Sequence, residues 1–301
     1  MSDQIKLACR EMARASLDYL KSQYTTEGFP PWEGGRPNAM TTAEVACAVC
    51  ELGLRWRDTL LPDAMRILVE CQQSDGSWTD GNSDDPWDAS STAWAGWALM
   101  QVQDERCLRA CQRAADWLAA CVLPSGGIPT NARYDAANTY ATSYGYRFLR
   151  AIGKTDAADS CLNFLFRAQN GDGGWGLRIG EQSEATLTEY VLHGLLDGAL
   201  DRHTPSVTAG FHFLNADRGA DGAWGSWLAE KKSVEGTAFG LFIFTKAGMD
   251  ADAFLELSVN YLHRRFMEGS PWWIDDSIQI WVAVSTLLAV GSLLKGGESI
   301  G

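Results

Sequence analysis

Hydrophobic residues follow two alternating helical patterns along the chain. Segments such as Cys107–Val122 carry apolar residues on one face, whereas segments such as Ser90–Val102 and Ser233–Gly248 are apolar nearly all round. An amphipathic helix packs one face on a core, and a helix that is apolar all round is buried on every side. Turns rich in Gly, Asp and Asn separate the segments, and the alternation typical of β-strands is scarce. The pattern predicts an all-α protein of paired outer and inner helices.

The pairs repeat six times. An aromatic or aliphatic residue followed by Leu, then a short Gly-containing turn and usually Trp, starts at positions 19, 67, 117, 164, 213 and 261. Units of about 48 residues, with a fixed internal order, are the signature of a repeat architecture. We therefore expect residues 1–301 to form one domain, an (α/α)6 barrel of six helical hairpins whose first and last units are adjacent. An open superhelical solenoid is the alternative; inner helices that look buried on both sides favour closure.

Composition narrows the class of protein. The chain has 301 residues, 46% of them hydrophobic, which excludes a disordered chain, and its net charge of −13 argues against a nucleic-acid partner. The longest apolar stretch, Ile280–Leu294, is shorter than the roughly 18–20 residues of a membrane span. The charged N-terminal segment has no signal-peptide core, so we expect a cytoplasmic location. The oligomeric state stays open.

Cysteine and tryptophan usage adds two expectations. The eight cysteines fall mostly in apolar helical patterns, which predicts free thiols without disulfides. Cys47 and Cys50 form a CxxC pair, but no second pair or nearby His completes a zinc site. The 13 tryptophans indicate either repeated packing positions or an aromatic cavity.

Two of the repeat turns resemble a known motif. FLFRAQNGDGGW (residues 164–175) and ILVECQQSDGSW (residues 67–78) are similar to the QW motif of the squalene and oxidosqualene cyclases. The same repeats occur in protein prenyltransferase β-subunits and class II terpene cyclases. The resemblance covers roughly residues 10–295 and implies an α/α barrel with a cavity near the N-terminal ends of the inner helices. The resemblance implies a structural role for the motif residues themselves. The known triterpene cyclases have two such domains, whereas this chain is long enough for one.

The family's acid motif is incomplete in this chain. In class II cyclases a DxDDTA sequence begins an inner helix, and its middle Asp protonates an alkene or epoxide. The match here is DASSTA (residues 88–93), in which Asp88 is the first Asp and Ser90 and Ser91 replace the other two. The resemblance therefore implies that the usual proton donor is missing at this place. Zinc-dependent prenylation is also disfavoured, because this chain has Ser90 near the position where the prenyltransferases have a Cys zinc ligand.

The same segment offers a weak metal option. Asp84, Asp85 and Asp88 form a DDxxD pattern, and clustered carboxylates can hold Mg²⁺ bridged to a diphosphate. Pro86 interrupts the segment, so an acidic loop with an Asp helix cap is favoured over the metal site. We expect no cofactor, with Mg²⁺ as an option only for a diphosphate substrate.

The last inner helix supplies the favoured acid. Two adjacent carboxyls, Asp275 and Asp276, follow Trp272 and Trp273, so like charge and desolvation could raise one pKa. Asp275 is the predicted proton donor, Asp276 its charge partner and Asp88 the remnant of the family motif. The alternative is that Asp275 and Asp276 cap the helix.

Other inner-helix positions are candidates for the cavity wall. Glu44, Glu184 and Glu235 also begin inner helices, but none has a sequence-adjacent carboxylate to raise its pKa. The predicted substrate cavity comprises Glu44, Trp94, Trp97, Tyr140, Tyr144, Glu235, Trp273 and Trp281.

Such a cavity suits an apolar small-molecule substrate. We expect a terpene-cyclase-like enzyme of natural-product biosynthesis, of the isomerase type, acting on an isoprenoid by protonation-initiated cyclisation. The rival hypothesis is a repurposed barrel that binds a small molecule or a protein partner without class II catalysis. A third is unrelated chemistry built from Asp, Glu and Tyr.

Overall fold

The computed structural model describes residues 1–81, 87–131, 133–226, 229–249, 254–268 and 279–294. These residues form twelve helices and one short hairpin. The helices are α1 (Asp3–Gln23), α2 (Ala39–Glu51), α3 (Arg57–Glu70), α4 (Ala89–Leu99), α5 (Glu105–Ala120), α6 (Thr139–Ala151), α7 (Thr155–Ala168), α8 (Ala185–Asp197), α9 (Pro205–Asp217), α10 (Val234–Lys246), α11 (Phe254–Glu268) and α12 (Gln279–Leu294). Strands β1 (Gly225–Ser226) and β2 (Ala229–Lys232) pair antiparallel just before α10.

The even-numbered helices form a closed inner ring. Each packs on the next, from α2 to α4 and onward to α12, and α12 packs back on α2. The first outer helix, α1, also packs on α11 and α12, so the first and last repeats meet. This contact confirms the predicted (α/α)6 barrel and excludes the open solenoid.

Inner and outer helices differ as their sequences predict. Helix α5 begins at the cap Asp104 and buries Ala110 and Leu118 on one face, while Leu108 on the other is exposed. Helix α12 is buried on nearly every side. No helix in the described ranges is long and apolar enough to cross a membrane.

The QW-type residues tie neighbouring repeats together. The indole of Trp175 is fully buried and donates to the carbonyl of Leu165 at 2.8 Å, near the end of the preceding outer helix. The side-chain amide of Gln169 donates to the carbonyl of Ser206 at 2.8 Å, in the next outer helix. The copy at residues 67–78 makes the equivalent contacts. The Trp side chains therefore satisfy carbonyls near the end of their own outer helix, and the Gln side chains connect each repeat to the next outer helix.

Candidate active site

Four of the inner helices have the same kind of side-chain cap. Asn38, Asp88, Asn138 and Ser233 each precede an inner helix, and each side-chain oxygen accepts a hydrogen bond from the backbone N–H three residues on. The Asp88 carboxylate accepts from Ser91 N–H at 2.6 Å. Asp88 is therefore a helix cap of the second repeat, equivalent to the caps of the other repeats. It lines neither of the axial chambers described below. Burial raises the pKa of Asp88 to about 6, against the N–H donors that lower it.

One side chain from each inner helix meets on the barrel axis. We call this set the axial ring. Its members are Glu44, Trp94, Tyr144, Tyr190, Phe239 and Trp281. The first five stand six residues after the capping position of their own helix. The centroids of contacting aromatic rings in this set lie 4.9–6.3 Å apart. The axial ring thus contains five aromatic side chains and one carboxyl group, and it separates two chambers along the barrel axis.

The upper chamber lies on the N-terminal side of the axial ring. It has a volume of about 510 Å³, within the range typical of small-molecule sites. Its wall is mostly apolar and includes Met40, Tyr140, Tyr190, Leu177 and Trp281. A cavity of this size and lining suits an apolar ligand.

The wall of the upper chamber also has polar side chains, among them Asn131 and Arg178. Tyr144 and Trp281 line the chamber as well, and the buried hydroxyl of Tyr144 and indole N–H of Trp281 have no hydrogen-bond partner among the described residues.

Glu44 is the carboxyl group of the axial ring and lines the upper chamber. Burial raises its pKa to about 8; the Arg147 guanidinium lowers it and the Glu235 carboxylate raises it further. Glu44 is therefore largely protonated at neutral pH. No acidic residue is adjacent to Glu44 in sequence, and the Glu235 carboxylate that raises its pKa comes from a helix remote in sequence.

Glu235 is held beside the ring by a hydrogen bond. The hydroxyl of Tyr190 donates to a carboxylate oxygen of Glu235 at 2.7 Å. Burial and the Glu235 charge raise the pKa of Tyr190 well above its usual value, so Tyr190 remains a donor. This hydrogen bond thus holds the Glu235 carboxylate in a position from which its charge raises the pKa of Glu44.

The lower chamber lies on the C-terminal side of the axial ring. It has a volume of about 250 Å³ and is lined by Glu44, Trp97, Arg147, His193 and Lys246, among others. Trp97, predicted as part of the substrate cavity, lies here and not in the upper chamber. The two chambers share Glu44 and Trp281 in their walls.

The predicted site residues are thus only partly brought together. Glu44, Trp94, Tyr144 and Trp281 meet in the axial ring, and Tyr140 lies beside it with its ring centroid 5.2 Å from that of Tyr144. Five further predicted residues, Asp84, Asp85, Trp273, Asp275 and Asp276, lie outside the described residues. Within the described part of the chain no three His, Cys, Asp or Glu side chains form a metal-binding group. All eight cysteines are free.

Sequence reasoning missed Tyr190, Arg147 and His193. Tyr190 could have been predicted from the alignment of the repeats, because it occupies the same position in its helix as Tyr144 and Trp94 do in theirs. Arg147 and His193 were not identified because the sequence of an apolar helix does not show which residue on another helix contacts an ionisable side chain.

The closed double ring of helices is an α/α barrel, and solved structures of other proteins share this fold. A protein from Actinoplanes has the same fold, with a TM-score of 0.74 and 19% identity over 95% of this chain and 99% of that chain. The type II terpene cyclase MstE from Scytonema, in complex with its substrate geranylgeranyl dihydroxybenzoate, gives a TM-score of 0.73 with 17% identity over 98% of this chain and 99% of that chain. The fold indicated by the QW-type motifs is therefore confirmed.

Similarity in sequence is more limited. Protostadienol synthase A from Arthroderma gypseum is 30% identical over 127 residues, which are 37% of this chain and 17% of that protein. No model of a known protein family matches the chain.

Proposed function

We propose that the protein is a terpene-cyclase-like enzyme that binds an isoprenoid or similarly apolar small molecule in the upper chamber. The observation that carries this proposal is the combination of an apolar 510 Å³ chamber with a protonated carboxyl, Glu44, set among aromatic rings at its inner end. The fold shared with a cyclase solved with an isoprenoid substrate supports the substrate class. A cytoplasmic location stays a prediction.

The reaction that fits this geometry begins with proton transfer from Glu44. The carboxyl O–H bond breaks, a C–H bond forms on an alkene carbon of the substrate, and a carbocation remains. The faces of Trp94, Tyr144, Tyr190 and Trp281 attract such a cation through their ring quadrupoles. The π electrons of a second alkene in the substrate attack the cation, which forms the ring C–C bond and moves the positive charge to another carbon. That cation then loses a proton to solvent water, or adds water and releases a proton to solvent, and the Glu44 carboxylate regains its proton from solvent.

A non-catalytic barrel is the second candidate. Ser90 and Ser91 replace the family's acidic residues, and Asp88 is committed to capping α4. A carboxyl with a pKa of about 8 holds its proton well but gives it up less readily than a stronger acid. These observations favour a barrel that binds an isoprenoid and does not cyclise it.

Incubation with linear prenyl diphosphates, prenylated phenols and squalene-like alkenes in D₂O, followed by mass spectrometry, separates the candidates. An enzyme forms a cyclised product that carries one deuterium on the carbon protonated first. Saturable quenching of tryptophan fluorescence by the same compounds, with no product, supports the binding barrel. If the chain neither binds these compounds nor forms a product from them, both candidate functions are contradicted. Mg²⁺ is added in one arm of the diphosphate assays, since a metal role remains a proposal for that substrate class alone.

A further inference from the structure

The carboxyl group of the axial ring is reached from both sides. Glu44 lies in the wall of the upper chamber and also in the wall of the lower chamber, and 6% of the residue remains exposed. Glu189 on α8 is a second buried acid, but both of its carboxyl oxygens are fully enclosed and have no hydrogen-bond partner among the described residues. Burial at Glu44 therefore leaves a surface that a small molecule can touch, whereas burial at Glu189 leaves none.

The size and the wall of the lower chamber favour water. Its volume of about 250 Å³ is many times the roughly 10–15 Å³ that one water molecule needs. The wall includes Gln101, Asp197 and Lys246, and the side chains of Asp197 and Lys246 are 10% and 17% exposed. Charged and amide groups supply the polar partners that keep water in a cavity.

The lower chamber adjoins the solvent at the C-terminal ends of the inner helices. It shares five wall residues with a neighbouring cavity of about 780 Å³, namely Glu51, Trp97, Asp197, Phe242 and Lys246. Glu51 is the last residue of α2, and its side chain is 40% exposed. Water can therefore enter the lower chamber from this end of the barrel.

The upper chamber opens at the opposite end. The caps Asn38 and Asn138 of two inner helices lie in its wall, together with the exposed side chains of Trp32 and Tyr134. A ligand that enters there does not pass through the lower chamber. The two faces of Glu44 therefore communicate with different ends of the barrel.

A reaction that begins with proton transfer makes two opposite demands on its acid. On the substrate side water has to be excluded, because it captures a carbocation before the ring closes. After each turnover the acid has to regain a proton from solvent. A substrate or product that fills the upper chamber blocks the approach of water from that side.

We propose that the lower chamber is the proton-supply side of the active site, where water that enters at the C-terminal ends of the inner helices reprotonates Glu44. The carboxylate accepts a proton from a hydronium ion, which leaves a water molecule in the lower chamber. The proton released to solvent at the end of the reaction balances the proton taken up. The assignment rests on the function proposed above, in which Glu44 is the acid, and it gives the axial ring the role of keeping this water away from the cation.

Infrared spectroscopy of the full chain follows this proton without any substrate. The chain is mixed rapidly from H₂O into D₂O at pH 6, where burial keeps Glu44 and Glu189 protonated because it raises the pKa of both. The C=O stretch of a protonated carboxyl shifts when deuterium replaces the proton, and difference spectra with Glu44→Gln and Glu189→Gln assign the two bands. We expect Glu44 to exchange at least tenfold faster than the enclosed Glu189.

Two substitutions on α2 locate the route of exchange. Cys47 lies about one helical turn after Glu44 and lines the lower chamber, so Cys47→Trp places a large side chain below the carboxyl. Met40 lies about one turn before Glu44 and lines the upper chamber, which makes Met40→Trp the matched control. We expect exchange at Glu44 to slow at least tenfold in Cys47→Trp and to change less than twofold in Met40→Trp. Circular dichroism identifies folded variants, and Cys50→Trp, which also fills the lower chamber, replaces a Cys47→Trp that does not fold.

Turnover distinguishes this proposal from the function on which it rests. If the chain forms a cyclised product, Cys47→Trp should form the first product at the rate of the unmodified chain, because Glu44 already holds a proton. Later turnovers should be at least tenfold slower, which rapid-quench product analysis measures. A chain that forms no product contradicts the cyclase function, and the exchange measurement still decides whether the lower chamber supplies the proton to Glu44.

Three results would overturn the proposed route. The first is exchange at Glu44 that is as slow as exchange at Glu189 in the unmodified chain. The second is a folded lower-chamber variant, Cys47→Trp or Cys50→Trp, in which Glu44 exchanges as fast as in the unmodified chain. The third is a loss of exchange rate in Met40→Trp equal to that in the lower-chamber variant.

Discussion

The hydroxyl of Tyr190 donates a 2.7 Å hydrogen bond to the carboxylate of Glu235, which lies 45 residues further along the chain. This bond fixes a negative charge close to the axial ring, where it adds to the effect of burial on the pKa of Glu44. Burial does most to keep the proton on Glu44, the Arg147 guanidinium opposes it, and the Glu235 carboxylate on another inner helix supports it. Closure of the barrel is what brings these groups together.

The raised pKa of Glu44 should make stability fall with pH. The folded chain, with a pKa of about 8 at this carboxyl, holds a proton that the unfolded chain releases near 4.5. Stability from this group is therefore fully present below pH 4.5 and is lost as the pH rises to about 8. Glu44→Gln is uncharged throughout, so its melting temperature should exceed that of the unmodified chain by on the order of 5 °C at pH 8.5, and by much less at pH 5.

Thermal unfolding at the two pH values measures this difference. Glu70→Gln is the matched control, because Glu70 is exposed and pairs with Arg66 at 2.9 Å on the surface. The control should show no pH-dependent gain. A Glu44→Gln gain that is equal at both pH values would contradict the raised pKa.

Asp88 should behave as a helix cap and not as an acid. Asp88→Asn keeps an oxygen that can accept from Ser91 N–H, so turnover and stability should stay close to those of the unmodified chain. Asp88→Ala should lower the free energy of unfolding by about 1 kcal/mol. Asn138→Ala, at the equivalent cap of the third repeat, should lose a similar amount. Urea denaturation and product assays check these outcomes; a folded but inactive Asp88→Asn would place the acid in the second repeat.

The fold followed from local patterns, whereas much of the site did not. Apolar periodicity and the 48-residue repeat depend on neighbours in sequence, and they predicted the helices and the closed barrel. The pKa of Glu44 depends first on burial within the closed barrel and then on Arg147 and Glu235, which lie on other helices. No local pattern shows that these groups come together. Trp97 was predicted in the same cavity as Trp94, but it lines the lower chamber, about one helical turn further along α4. A helix pattern alone does not show where the axial ring divides the cavity.

Trp175 should matter for stability and not for turnover. Trp175→Phe keeps a buried aromatic ring but removes the N–H that donates to Leu165 O at 2.8 Å. The buried carbonyl loses a partner, so the free energy of unfolding should fall by about 1–3 kcal/mol. Activity per folded molecule should be unchanged. A variant that is as stable as the unmodified chain, by urea denaturation, would show that this hydrogen bond contributes little to holding the repeats together.

Glu44 and Asp275 make opposite predictions about the proton donor. Glu44 stands in the axial ring with a pKa of about 8, and Asp275, the acid predicted from sequence, lies outside the described residues. If Glu44 is the donor, Glu44→Gln should lower kcat by on the order of 10³, within the usual range of general-acid contributions, and leave substrate binding nearly intact. Asp275→Asn should then remain active, because Asn can still cap a helix. Product formation and fluorescence binding, measured side by side on the two variants, decide between them: an inactive Asp275→Asn beside an active Glu44→Gln would restore Asp275 as the acid and leave Glu44 as a wall of the chamber.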